Sequence, residues 1–129
     1  MGLITKKCVI IDDDVQITEL FSELLALLGL KILAIGHNGL DAIDLFSKHQ
    51  PDILFMDVEM PKLNGIEALK EIKKINPSAK VIIITGNTSS DCERILQDNG
   101  VTAIIYKPFD IQKIKQLIEH FDNPVSMYT

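Results

Sequence analysis

Pro51-Asp52-Ile53-Leu54-Phe55-Met56-Asp57 holds four consecutive apolar residues between a turn-forming pair and a carboxylate. A short uninterrupted apolar run bounded in this way reads as a strand buried on both faces. Burying each such side chain stabilises by roughly 1.5–3 kcal/mol, which places the run in the middle of a sheet. Asp57 falls where that strand ends. In an open parallel sheet, ligands bind outside the carboxyl ends of the strands, so this carboxylate stands where chemistry takes place. Aspartate is also common in turns, and Asp57 needs companions before it carries a function.

Toward the N-terminus, residues 7–11 read as a first buried strand running into Asp12-Asp13-Asp14. Ile17, Leu20, Phe21, Leu24, Leu25 and Leu28 then recur at three- and four-residue steps. That spacing predicts an amphipathic helix over 15–28 with these residues facing inward, ended by Gly29. Residues 32–35 read as a second strand, closed by the turn Gly36-His37-Asn38-Gly39. A helix follows over about 40–49, with Ala42, Ile43, Leu45 and Phe46 turned to the core. Toward the C-terminus, Pro61, Asn64 and Gly65 mark a loop, and a helix over 66–75 stops at Asn76-Pro77. Strand 80–84 closes on Thr85-Gly86-Asn87, a helix over about 89–98 ends at Asn99-Gly100, and a last strand over 101–106 is broken by Lys107-Pro108. Ile111, Ile114, Leu117, Ile118 and Phe121 mark the inner face of a final helix. Five strands thus alternate with five helices. Such an order predicts a parallel sheet covered on both faces by right-handed crossovers, in one domain over 1–123 with a patternless, frayed tail over 124–129.

Composition narrows the function classes. The chain has 129 residues, of which 47% are hydrophobic, enough for a core. Its longest apolar runs fall far short of the ~20 residues that span a bilayer, and its N-terminus lacks the order of charge, apolar run and cleavage site of a signal peptide. No membrane insertion is expected. Cys8 and Cys92 form neither a disulfide framework nor a zinc pattern, and a reducing cytoplasm is the simplest setting. The net charge is −5 and the isoelectric point near 5.1, which argues against direct nucleic-acid binding, since that needs a basic face. Protein partners or a cation suit such a chain.

The carboxyl ends of the strands carry a joint pattern. The first ends in Asp12-Asp13, the third in Asp57, the fourth in Thr85 and the fifth in Lys107. Singly, each has a plain explanation as a cap, a turn residue or a solvated surface charge. Together they set three acids, a hydroxyl and an amine on one rim. Two carboxylates about 4 Å apart repel by roughly 4 kcal/mol at an effective dielectric near 20. A divalent cation resolves that repulsion, and hard oxygen donors without His or Cys select Mg²⁺. Such a rim suits a phosphoryl group arriving at Asp57 as nucleophile, with cation and lysine stabilising the transferred charge.

With these residues in place, the chain resembles the receiver domain of two-component response regulators, the CheY-like, flavodoxin-like fold. The resemblance runs from Lys7 to about Phe121. It rests on Val9-Ile10-Ile11-Asp12-Asp13-Asp14, the strand ending in Asp57, Met60-Pro61 with Gly65, Ile83-Ile84-Thr85-Gly86 and Tyr106-Lys107-Pro108-Phe109. It implies a doubly wound sheet of order 2-1-3-4-5. It implies Asp57 as phosphoacceptor for a histidine kinase or phosphotransfer protein. Mg²⁺, with Mn²⁺ able to substitute, would be held by Asp12, Asp13, Asp57 and the backbone carbonyl of Glu59, with Asp13 the more direct ligand of the acid pair. Lys107 and Thr85 would contact the phosphoryl group, and Thr85 and Tyr106 would form the switch. The output partner would dock on the fourth helix, fifth strand and fifth helix; Lys113 and Lys115, on the outer side of that last helix, read either as ordinary solvated charges or as part of this surface. The resemblance implies a phosphoacceptor that assists its own phosphorylation and dephosphorylation rather than an enzyme.

Some residues read more plainly. Asp14 is expected to cap the first helix. Glu59 and Asn87 lie where receivers vary phosphate lifetime. His37, His49 and His120 read as surface or helix-end residues. No output domain follows Phe121, so a complete chain would be a chemotaxis-type regulator or a phosphorelay intermediate. A haloacid-dehalogenase-like phosphatase would carry Asp-x-Asp on its first strand, whereas Asp12 and Asp13 are adjacent. A flavodoxin-like cofactor site would need a phosphate-cradling loop where three aspartates stand. A phosphorylation-independent interaction scaffold is the alternative reading, although such scaffolds usually lose an acid, the Thr or the Lys.

Overall fold

Each of the five helices begins at a side chain that accepts a hydrogen bond from its free N–H groups, Asp110 Oδ1 taking the Gln112 N–H at the last of them. In the computed structural model, which describes residues 6–122 and side chains through His120, strands and helices alternate. The strands are β1 (Lys7–Ile11), β2 (Lys31–Gly36), β3 (Ile53–Met56), β4 (Val81–Thr85) and β5 (Ala103–Tyr106). The helices are α1 (Val15–Leu27), α2 (Gly39–His49), α3 (Gly65–Ile75), α4 (Ser90–Asp98) and α5 (Ile111–Asp122). Asp14, Asn38, Asn64 and Ser89 cap α1 to α4 in turn. Among the described residues no helix is long and apolar enough to cross a membrane.

All strand pairs are parallel and the sheet order is β2-β1-β3-β4-β5. β3 is central, and its four residues are at most 1% exposed. Successive strand side chains point to opposite faces, which explains why an unbroken apolar run is needed here. Leu54 and Met56 pack with Val9, Ile11 and Ile83 against Phe46 of α2, Leu69 and Ile72 of α3 and Leu96 of α4. Ile53 and Phe55 pack with Cys8, Ile10 and Ile82 against Phe21 and Leu25 of α1 and Ile114 and Ile118 of α5.

Two details differ from the sequence reading. Leu20 is 52% exposed, because the buried stripe of α1 is Thr18, Phe21 and Leu25. Thr18 tolerates burial by donating its hydroxyl to the Val15 carbonyl at 2.8 Å. β5 begins at Ala103 rather than at 101, because the N–H of Val101 turns back to the Leu96 carbonyl and closes α4. Val58, in the loop that follows β3, is buried in the core. The expected inner-facing side chain of Phe121 and the tail over 124–129 lie outside the described side chains and residues.

Candidate functional site

Because every strand runs the same way, the residues that follow β1, β3 and β5 meet on one rim. Asp12 is set there by its N–H, which donates to the Gly36 carbonyl at 3.1 Å, and Asp57 by its N–H to the Ile11 carbonyl at 3.0 Å. The N–H of Lys107 donates to the Thr85 carbonyl at 2.9 Å. These bonds extend the parallel ladders by one residue beyond the strands and aim the side chains at one point. Gly65 permits the close turn: a Cβ there would lie 2.2 Å from the Asp57 carbonyl oxygen.

The ammonium of Lys107 donates to Oδ2 of Asp12 and to Oδ2 of Asp57, each at 3.0 Å. Asp12 and Asp57 are 6% and 8% exposed. Their remaining oxygens are also held: Oδ1 of Asp12 accepts from the N–H of Asp14 at 2.9 Å, and Oδ1 of Asp57 accepts from the N–H of Val58 at 2.7 Å. Burial pushes the Asp57 carboxyl above its ordinary range. The hydrogen bond and charge of Lys107 oppose that push, Asp12 adds to it, and the Val58 N–H opposes it. Ile10, Phe21, Phe55, Ile84 and Phe109 line a cavity of about 10 Å³ beside the two acids, which accounts for the dry surroundings. Burial works against the charge of Lys107, yet its bonds to the two acids outweigh it and raise its pKa.

Asp13, exposed, completes the cluster: Asp12, Asp13 and Asp57 each offer a carboxylate oxygen within 4.8 Å of the others. Three acids outnumber the one ammonium, which bridges two of them. This all-oxygen, net-negative set fits a hard divalent cation, whereas His and Cys donors would have favoured a softer one.

Thr85 ends β4 and is 1% exposed. Its hydroxyl accepts the N–H of Asn87 at 3.0 Å, and no hydrogen bond joins it to the acids among the described residues. Tyr106 pairs with Thr85 across β4 and β5 and is half-buried. It lines two grooves, one of about 360 Å³ with Lys113, Gln116, Leu117 and His120, and one of about 200 Å³ with Glu93, Gln97 and Thr102. Glu59 is exposed, and its Oε1 accepts from Asn87 Nδ2 at 3.4 Å. Asp14 caps α1, its Oδ1 accepting from the N–H groups of Gln16 and Ile17.

Sequence reasoning missed His37. It is half-buried and its Nδ1 lies 2.8 Å from the Asp12 carbonyl oxygen. The only signal in the sequence was its place at the carboxyl end of the second strand, on the same rim.

The chain is similar in sequence and fold to known proteins. The response regulator receiver domain family matches residues 8–119. The chain is 31% identical over 115 residues to the chemotaxis protein CheY of Thermotoga maritima, covering 88% of this chain and 94% of that protein. It is 37% identical over 123 residues to a transcriptional regulatory protein CpxR homolog of Haemophilus influenzae, covering 92% of this chain. The chain spans about half the length of that protein and of some other relatives. A response regulator receiver domain protein from Clostridium thermocellum superposes with a TM-score of 0.85 at 28% identity, covering 96% of this chain and 99% of that one.

Proposed function

This chain belongs to the response regulator receiver domain family, and from that membership we propose that Asp57 is its phosphoacceptor. The chain is a receiver domain of two-component signal transduction. The observation that carries the assignment is the bridge of Lys107 to Asp12 and Asp57 at equal distance, with Asp13 in the same cluster.

Asp12, Asp13, Asp57 and the Glu59 carbonyl are assigned as holders of Mg²⁺, for which Mn²⁺ can substitute. The bound cation supplies positive charge that neutralises the acids and the phosphoryl oxygens. An Asp57 carboxylate oxygen forms the new bond to phosphorus as the bond to the donor histidine nitrogen breaks, and the proton required goes to the leaving imidazole. Lys107, already charged, transfers its hydrogen bonds from carboxylate to phosphoryl oxygens. The Thr85 hydroxyl gives up the Asn87 N–H and donates to the phosphoryl group. Tyr106 follows, altering the two grooves it lines on the face of α4, β5 and α5. That face is the docking surface for the output protein.

Residues 1–123 are assigned as the receiver domain and 124–129 as its tail. The cytoplasm is the assigned compartment. Burial holds the Cys8 thiol up to about 12 and keeps it unreactive.

The test is incubation with acetyl phosphate and Mg²⁺, followed by intact mass. One added phosphoryl group on the wild type, absent from Asp57→Ala and absent with chelator, is expected. Failure of the wild type with both acetyl phosphate and histidine kinases would overturn the assignment in favour of a phosphorylation-independent scaffold.

A further inference from the structure

We propose that His37 is a positioning residue for the cation site, acting through the peptide that joins Asp12 to Asp13. The inference rests on the reading of those acids as cation ligands. A carbonyl oxygen only accepts, so the 2.8 Å contact requires the proton of His37 to be on Nδ1. The accepting oxygen belongs to the Asp12–Asp13 peptide. A peptide unit is planar, so holding its oxygen restrains the orientation of the plane that ends at the Asp13 Cα, from which the Asp13 side chain departs. Asp13 depends on this more than its neighbours do. Lys107 and the Asp14 N–H hold the Asp12 carboxylate, and Lys107 and the Val58 N–H hold that of Asp57. Among the described residues no hydrogen bond or ion pair holds the Asp13 carboxylate.

The donor is itself fixed. The His37 N–H donates to Asp41 Oδ2 at 2.9 Å, and the Asp41 N–H donates to Asn38 Oδ1 at 2.8 Å. The Gly39 N–H donates to the Leu63 carbonyl at 2.9 Å, tying this turn to the segment that follows Asp57. Gly36 is closed in so tightly that a Cβ would lie 2.7 Å from Asp41 Cβ and 2.8 Å from Ile11 Cδ1. Its carbonyl takes the Asp12 N–H. Consecutive residues of one rigid turn therefore hold Asp12 at both of its peptide groups.

The test compares three substitutions. His37→Asn places an amide nitrogen where Nδ1 stands. His37→Gln places it one bond further out, where Nε2 stands. His37→Leu removes the donor. Mg²⁺ binding to the unphosphorylated protein is measured by calorimetry, and the acetyl phosphate rate is followed across Mg²⁺ concentrations. His37→Leu and His37→Gln are expected to bind Mg²⁺ roughly three- to tenfold more weakly. They should react slowly at low Mg²⁺ and recover when it saturates, with His37→Asn staying close to wild type. If His37→Leu unfolds, the contrast between Asn and Gln decides alone. Equal Mg²⁺ affinity in all folded variants, or an Asn variant as weak as Gln, would overturn the inference and leave Asp57 as phosphoacceptor untouched. A wild type that neither binds Mg²⁺ nor takes phosphate would instead remove the site assignment beneath it.

Discussion

Lys107 holds two acids that would otherwise repel each other in dry surroundings. Replacing it by methionine leaves Asp12 and Asp57 each one partner short, and Lys107→Met is expected to cost roughly 1–3 kcal/mol in chemical denaturation. Since the folded pKa of Lys107 is raised above 10.5, its contribution is full below that pH and is lost as pH rises through the folded value. Asp57 has the opposite charge and its pKa is also raised, by burial first. A raised folded pKa means the folded protein holds the proton more tightly, so the contribution of Asp57 is greatest below 3.8 and falls as pH climbs through its folded value. At neutral pH the ionised carboxylate thus costs stability. Asp57→Asn is expected to melt about 3 °C above wild type at pH 7 without Mg²⁺, and the gap should close toward pH 3.8. A gap that widens on acidification would contradict this account.

Among the elements, the turn from β1 into α1 separates two kinds of aspartate that the sequence sets side by side. Asp14 spends its Oδ1 on the first N–H groups of α1, whereas Asp13 stands open beside Asp12 and Asp57. Asp14→Ala is therefore expected to cost about 1 kcal/mol of stability while leaving Mg²⁺ affinity and phosphate uptake near wild type. A loss of Mg²⁺ binding with unchanged stability would make Asp14 a ligand instead. The cap was legible because an acid directly before an apolar helical stripe has one common use. The exposure of Leu20 was not. Spacing defines a broad stripe, and only the packing of Phe21 and Leu25 with residues of β1 and β3 decided which side of α1 faces inward, the side that also buries Thr18.

For the whole molecule, binding of a ligand to the folded state alone stabilises it by mass action. Mg²⁺ at a hundred times its dissociation constant is expected to raise the unfolding free energy by about 2.7 kcal/mol. Thermal melts with and without Mg²⁺ check this. The shift should shrink in Asp13→Ala, which removes one of the proposed ligands without disturbing a hydrogen bond. A shift of equal size in that variant would mean that Mg²⁺ acts elsewhere on this acidic surface. Both core clusters pack on β3, and small single domains usually unfold in one cooperative transition, which makes such measurements readable.

Local pattern alone determined the strands and helices, because period and punctuation are properties of neighbouring residues. β3 was recognisable from four apolar side chains, and Asp12, Asp13, Asp57, Thr85 and Lys107 shared a rim as soon as the strands were parallel. Strand order came from family resemblance, since nothing in a strand states which other strand lies beside it. Tertiary structure alone decided which atoms touch. Lys107 reaches Asp57 across 50 residues and Asp12 across 95, and His37 reaches the Asp12 carbonyl across 25. Such contacts depend on sheet twist, turn geometry and side-chain rotation summed over the whole fold, which no local window of sequence contains.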